Sequence, residues 1–165
     1  MSDLDFDFEK ELEVHLEKQD MQNFTARVQY GIDTSGSMRS EFEAGNMELL
    51  NRILFQVGLR FDDNREMDVK IFSSDEKTLP NMTEKNYKDY CEKVIMKNAE
   101  WGGTNFYPVI RSFEDDSGTP KNKTSFFSKF FKKKEEPVKC TDPAFLVIQT
   151  DGFNSDRSRV IEFLH

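Results

Sequence analysis

Residues 32–38 read Ile-Asp-Thr-Ser-Gly-Ser-Met, and this stretch decides how the fold and the function of the chain are interpreted. It follows the segment Ala26 to Asp33, whose alternating apolar residues are typical of a β-strand. A strand alternates its faces and a tight turn reverses the chain. Asp33, Ser35 and Ser37 can therefore converge on one point above the edge of a sheet. One carboxylate and two hydroxyls at such a point suit a hard cation.

The rest of the chain alternates between strand and helix patterns, which predicts an α/β fold. Apolar residues recur at helical spacing from Phe42 to Val57, and Pro108 is well placed in the first turn of a helix running to about Glu114. The almost continuous apolar run Ala144 to Thr150 predicts a parallel strand covered on both faces. Ser155 or Asp156 can cap the helix after it. Two further elements are a strand at Met67–Ser73 and a helix at Thr83–Asn98.

In such folds ligands bind outside the carboxyl ends of the strands, and three segments are predicted to meet there. Asp33 ends the first strand, Asp151 follows the last one, and Thr104 lies in a Gly-Gly loop whose backbone can approach an ion closely. The candidate metal ligands are Asp33, Ser35, Ser37, Thr104 and Asp151. Their oxygens would fill most of an octahedral shell around Mg²⁺, with Ca²⁺ or Mn²⁺ as alternatives, and would leave one position for water or a partner's acidic group.

Asp33-Thr34-Ser35-Gly36-Ser37 resembles the D-x-S-x-S signature of von Willebrand factor A domains. Thr104 and Asp151-Gly152 resemble the other two parts of their metal-ion-dependent adhesion site, known as MIDAS. Leu59 to Asp63, Trp101 to Asn105, Pro108 to Arg111 and Thr150 to Arg157 are similar to the TerF-type branch of tellurium-resistance proteins of bacteria and phages.

This resemblance implies a Rossmann-like, three-layer fold with a mainly parallel sheet and helices on both faces. It also implies a divalent-metal-dependent protein-interaction module that serves tellurite or other stress resistance, or phage-linked defence. Ser35 and Ser37 would bind the metal directly, whereas Asp33, Thr104 and Asp151 would bind it directly or through water. The metal would bridge to an Asp or Glu carboxylate of a protein partner.

The sequence departs from the family pattern after Asp151, where the resemblance implies two more strands than the sequence contains. We therefore expect either a truncated form of the domain or an exposed sheet edge beside Ala144 to Thr150, with pairing to a second copy as one consequence of such an edge. An alternative function follows, namely a metal-free scaffold that oligomerises through this edge.

Composition limits the remaining possibilities. With 165 residues, the chain has room for one core of ordinary domain size. A net charge of −8 argues against general nucleic-acid binding. The N-terminus lacks a secretory apolar core and no stretch reaches the length of a membrane span, which predicts a soluble cytoplasmic protein. The two cysteines, Cys91 and Cys140, are expected to be reduced thiols.

We divide the chain into an acidic N-terminal extension, residues 1–20, and a von Willebrand A-like domain, residues 21–165. The period-two pattern of the extension fits an edge strand or a partner-binding arm, and both remain open. The domain carries a basic insertion at about residues 117–137, in which Lys121 to Lys134 contains six lysines and four phenylalanines. An insertion whose phenylalanines pack onto the domain is favoured over a membrane-binding helix.

The sequence argues against an enzyme. His15 and His165 lie at opposite ends of the chain, and Ser35 is not in a G-x-S-x-G motif. Asp33-Thr34-Ser35 is similar to the D-x-D motif of phosphatases, but Ser35 replaces the second carboxylate. Magnesium-dependent phosphate-ester hydrolysis is the remaining enzymatic alternative.

Overall fold

A computed structural model of the chain describes residues 25–118 except 63, residues 144–164 except 153 and 154, and five positions nearer the N-terminus. Those five positions, which all have helical backbone, are Lys10, Glu11, Val14, Glu17 and Lys18. An edge strand is therefore wrong for the described part of the N-terminal extension. The segment Lys121 to Lys134 and Cys140 lie outside the described residues.

Five strands form one mixed sheet: β1 (Arg27–Asp33), β2 (Glu66–Phe72), β3 (Glu76–Thr78), β4 (Met82–Thr83) and β5 (Ala144–Gln149). Four of them lie side by side in the order β3-β2-β1-β5, and β4 pairs with β2 off this path. Both neighbours of β1 are parallel to it, whereas β3 and β4 pair antiparallel with the two halves of β2. The predicted mainly parallel sheet is confirmed, with β1 at its centre.

The helical pattern that follows β1 is divided into three pieces. Gly45 has a φ of 79°, which a residue with a side chain rarely adopts, and it separates the second piece from the third. The described helices are a 3-10 turn (Gly36–Met38), α1 (Arg39–Glu43), α2 (Asn46–Phe61), a π-helical turn (Cys91–Ile95) that continues into α3 (Met96–Asn98), α4 (Phe106–Gly118) and α5 (Arg157–Leu164).

The predicted helix at Thr83–Asn98 begins later than expected, at Tyr90. Thr83 pairs with Glu66 in the sheet, so it cannot start a helix. The Asn86 side chain then holds a turn, since it accepts a hydrogen bond from the Thr83 N–H at 2.7 Å and donates one to the Asn81 carbonyl at 3.0 Å. Asparagine competes with helix formation through such local bonds.

Helices cover both faces of β1, which confirms the three-layer architecture. On one face, Tyr30 and Ile32 are completely buried in a core that includes Phe55 of α2. On the other face, a Cβ at Gly31 would lie 3.4 Å from Val109 and Phe113 of α4. The central strand is therefore packed from both sides, and its carboxyl end opens toward the loops.

The expectation that β5 is covered on both faces is wrong. Phe145 and Leu146 are 41% and 39% exposed, and the three residues that follow are only half-buried. In the described part of the chain, β5 pairs with β1 alone. An apolar run therefore did not identify a fully buried strand, because it does not show whether neighbouring elements cover the strand.

Lys70 of β2 is a buried cation, with 2% of its side chain exposed. Its ammonium group donates to Asp116 Oδ2 and Ser112 Oγ, both at 2.6 Å, and to Thr78 Oγ1 at 3.2 Å. It also lies 5.1 Å from the centre of the Phe113 ring. The ion pair fixes α4 against β2, and the bond to Thr78 extends the contact to β3.

Cys91 is a buried free thiol at the start of the π-helical turn. Burial, with a smaller effect of the Glu48 charge, raises the pKa of Cys91 to about 11. Such a thiol stays protonated at neutral pH and is a weak nucleophile. None of the described helices has both the length and the apolar character needed to cross a membrane.

Replacing Asp116 by Ala should lower the free energy of unfolding by about 3 kcal/mol, because the Lys70 charge stays buried without its carboxylate. Urea denaturation measures the effect. Asp115→Ala is the matched control, since its ion pair with Arg111 is exposed and long at 3.9 Å. The control should change stability by less than about 0.5 kcal/mol. Equal midpoints for the two variants would contradict the structural role of the Lys70 pair.

Candidate metal centre

Asp33 ends the central strand β1 and is completely buried. Its Oδ1 accepts a hydrogen bond from the Ser35 N–H at 2.7 Å, and its Oδ2 accepts one from the Thr150 hydroxyl at 2.8 Å. The Thr150 oxygen itself accepts from the Gly152 N–H at 3.1 Å, which directs the hydroxyl proton to Asp33. Among the described residues, no Lys, Arg or His forms an ion pair with this carboxylate.

Ser35 and Ser37 bring their hydroxyls together beside Asp33. Their Oγ atoms are 3.1 Å apart, with Ser35 buried and Ser37 exposed. Two adjacent ligands of an octahedral ion, at bond lengths of roughly 2.0–2.1 Å, lie about 3.0 Å from each other. The hydroxyl pair therefore fits two positions around one cation without a large rearrangement.

The loop that carries Thr104 is held from two directions. Its backbone forms a bridge between Gly102 and Ser35, with the Gly36 N–H donating to the Gly102 carbonyl at 3.0 Å. From the loop after β2, Ser74 Oγ accepts from the Gly103 N–H at 3.0 Å, and the Ser74 carbonyl accepts from the Asn105 side chain at 2.8 Å. These contacts place Thr104, which is 5% exposed, next to the segment that contains Ser35.

Asp151 is exposed in the loop directly after β5. The next residue, Gly152, has a φ of 94°, so the chain turns sharply at this point. The Ser155 N–H then donates to the Thr104 carbonyl at 2.8 Å, which joins this loop to the Thr104 loop. The loops that bear Thr104 and Asp151 are thus neighbours.

The structure joins the five predicted ligands to different degrees. Direct hydrogen bonds link Asp33 to the Ser35 backbone and Ser35 to Ser37, whereas backbone contacts bring the Thr104 and Asp151 loops to them. No three His, Cys, Asp or Glu side chains cluster within the described ranges. The five predicted ligands comprise two carboxylates and three hydroxyls, and such a set suits Mg²⁺ better than soft metals.

Two supporting residues have no role that the sequence pattern indicates: Thr150 is only part of a motif, and Ser74 follows β2 without any recognisable signal. For a third residue, Asp156, the pattern predicts a cap on the helix after β5, with Ser155 as the alternative. The Asp156 backbone carbonyl does accept from the first turn of α5, but its side chain caps α4, with Oδ1 and Oδ2 accepting from the Phe106 and Tyr107 N–H groups at 2.9 and 2.8 Å. A contact across about fifty residues leaves no local pattern.

Trp101 borders the Thr104 loop and has a φ of 52°. Its ring packs edge-on against Phe42 of α1, with the ring centres 5.4 Å apart, and lies against the main core. This contact fixes the start of the loop against the helix that follows the Ser37 turn.

The fold and the position of the D-x-S-x-S turn at the end of β1 define the class as a von Willebrand factor A-type domain. A family model described as the von Willebrand A domain found in the TerF C terminus matches residues 25–165, and the chain belongs to this vWA-TerF-like family.

The chain is also 30% identical over 146 residues to the uncharacterized protein YcbR of Bacillus subtilis strain 168. The match covers 87% of this chain and 53% of YcbR, so the chain spans about half the length of this relative. No solved structure matches the chain significantly.

Gly102→Ala should disturb the Thr104 loop, since the added Cβ would lie 2.7 Å from Ser74 Oγ, the atom that holds Gly103. We expect a loss of about 1–3 kcal/mol in the free energy of unfolding, measured by urea denaturation. Gly103→Ala is the control, because its Cβ would lie an ordinary 3.5 Å from the same oxygen. If Gly103→Ala were as destabilising as Gly102→Ala, the Ser74 contact would not be the cause.

Proposed function

We propose that this chain is a divalent-metal-dependent protein-interaction module with a MIDAS-type site, and that it is not an enzyme. The observation that carries the proposal is the Asp33 carboxylate, which is fully buried and forms no ion pair with any described cationic side chain. A buried charge without a partner is costly, and a bound cation would neutralise it. The paired Ser35 and Ser37 hydroxyls lie where such a cation would find further ligands.

Mg²⁺ is the ion that the donor atoms fit best, with Ca²⁺ or Mn²⁺ as alternatives. All candidate donors are oxygens, and hard cations prefer oxygen ligands. Ser35 and Ser37 would supply neutral oxygens, while Asp33, Thr104 and Asp151 would bind directly or through water. Two carboxylates would balance the charge of a divalent ion without exceeding it. The open coordination position of the ion could therefore still attract an anionic group.

The proposed partner is a protein that offers an Asp or Glu carboxylate. When bound, the ion supplies an electrophilic position that a carboxylate can occupy. The chain itself contributes the buried Asp33, which holds charge at the base of the site, and the exposed Asp151 at its rim. Because the ligands belong to loops tied together by backbone hydrogen bonds, the site needs little ordering when a partner binds.

The family suggests the process that the module serves. Membership in the vWA-TerF-like family supports a role in tellurium or other toxic-ion resistance, or in a bacterial or phage stress response or defence. A cytoplasmic location is proposed on the same basis. We assign no reaction to the chain, since Ser35 stands where a phosphatase of the D-x-D type would carry its acid–base carboxylate.

Thermal unfolding of the chelator-stripped chain tests the metal site. Mg²⁺ at 100 times its Kd should stabilise the folded state by about 2.7 kcal/mol and raise the Tm by roughly 5–10 °C. Asp151→Ala should reduce this shift strongly, together with partner binding, because the variant removes one ligand from an exposed position. Ca²⁺ and Mn²⁺ are tested in parallel.

Asp115→Ala controls for non-specific binding of cations to an acidic protein, since it removes the same charge from the exposed face of α4. It should keep the full shift in Tm. If none of the three ions shifted the Tm, or if Asp151→Ala and Asp115→Ala showed equal shifts in Tm, metal binding at this site would be contradicted.

A second candidate function is the metal-free scaffold that oligomerises through its sheet edge. The exposed apolar side chains of β5 favour it, since Leu146 is 39% exposed on a strand that pairs on one side only within the described residues. An exposed apolar edge strand is a template for pairing with a second chain.

This scaffold predicts self-association that chelator does not abolish and that Leu146→Lys prevents, because a charge would be placed on the pairing edge. Light scattering at high protein concentration measures it. Leu49→Lys is the matched control, since Leu49 is 53% exposed on α2, away from the edge. A monomeric unmodified chain with and without Mg²⁺ would rule out the scaffold.

A further inference from the structure

Asp156 connects the two loops of the candidate site. Its side chain accepts hydrogen bonds from the N–H groups of Phe106 and Tyr107, the first two residues of α4, at 2.9 and 2.8 Å. Its backbone carbonyl accepts hydrogen bonds from the N–H groups of Arg159 and Val160, in the first turn of α5, at 3.0 and 3.1 Å. One residue therefore organises the beginnings of two helices.

Each helix follows a predicted metal ligand, closely for α4 and after an intervening loop for α5. Thr104 lies two residues before the start of α4, and Asp151 precedes α5 in the loop after β5. Next to Asp156, the Ser155 N–H donates to the Thr104 carbonyl at 2.8 Å, so a side-chain contact and a backbone contact act in the same direction. The free N–H groups at a helix start need acceptors, and a carboxylate there also interacts favourably with the helix dipole.

We infer that Asp156 is a positioning residue that sets the separation between Thr104 and Asp151, and thereby the affinity of the site for its metal. This inference rests on the proposed metal-dependent function. Asp156 is not itself a ligand here, since both its oxygens point to backbone N–H groups of α4. Outer residues that orient metal ligands commonly change metal affinity by 10–100-fold when they are replaced.

The geometry also explains why a neutral amide would not replace this carboxylate. Asn has a single acceptor oxygen, so Asp156→Asn would turn an NH₂ group toward one of the two N–H donors. The N-terminus of α4 would lose one acceptor and a negative charge, and the Thr104 loop would depend on the Ser155 backbone contact alone to hold it beside the loop of Asp151.

The test is isothermal titration calorimetry of the full, chelator-stripped chain with Mg²⁺ alone, comparing the unmodified protein, Asp156→Asn and Asp115→Asn. We expect Asp156→Asn to weaken Mg²⁺ binding by about tenfold or more. Asp115→Asn, the same change on the exposed face of α4, should stay within roughly twofold of the unmodified chain. The stability of each variant in chelator is measured separately by urea denaturation.

The outcomes distinguish the inference from the function on which it rests. If the unmodified chain bound no Mg²⁺, the proposed function and this inference would both fall. If the unmodified chain bound Mg²⁺ and Asp156→Asn bound it equally well, while being less stable in chelator, Asp156 would be only a helix cap and the inference alone would fail.

If Asp156→Asn does not fold, hydrogen exchange of the unmodified chain decides. If the two loops are coupled, saturating Mg²⁺ should slow hydrogen exchange of the Phe106 and Tyr107 amides, which donate hydrogen bonds to Asp156. Unchanged exchange at both amides on Mg²⁺ binding would overturn the inference.

Discussion

The burial of a carboxylate at the end of the central strand is the constraint on which the rest of the structure depends. Asp33 is inaccessible to solvent, and its two oxygens are held by the Ser35 backbone and the Thr150 hydroxyl. The bond to Thr150 crosses from β1 to the end of β5 and so fixes how the two parallel strands finish. A charge in this position has lost its hydration, and hydrogen bonds compensate for only part of that loss.

The loops around Asp33 satisfy one another's backbone groups. The Gly36 N–H, the Gly103 N–H and the Ser155 N–H all donate to neighbouring loops, at 2.8 to 3.0 Å. This mutual bonding holds the loops together without regular secondary structure.

The two faces of the sheet differ in how firmly they are covered. On the α2 side a large apolar cluster encloses Tyr30 and Ile32, whereas on the α4 side the smaller cluster of Phe72, Val109 and Phe113 is supplemented by the buried Lys70 pair. At the β5 edge the coverage is incomplete. The described part of the molecule thus leaves apolar side chains of β5, Phe145 and Leu146, exposed to solvent.

The sequence by itself determined the main alternation of parallel strands with helices and the family, since these depend on periodicity and on a short motif, but it did not reveal the short antiparallel strands β3 and β4. It was sufficient to place Asp33, Ser35 and Ser37 together, because one residue separates each from the next and they share one turn. It placed the start of the helix that ends at Asn98 too early, because Thr83 pairs with Glu66 in the sheet. It also predicted that β5 is fully covered, whereas β5 has no second neighbour among the described strands.

Only the tertiary structure decided what holds the site. Thr150 reaches Asp33, Ser74 holds Gly103, and Asp156 caps a helix that begins fifty residues before it. Each of these contacts joins segments distant in sequence through a single polar side chain, and a single residue has no periodicity for a pattern to detect. The chain folds them together because the parallel strands bring their carboxyl ends to one side of the sheet.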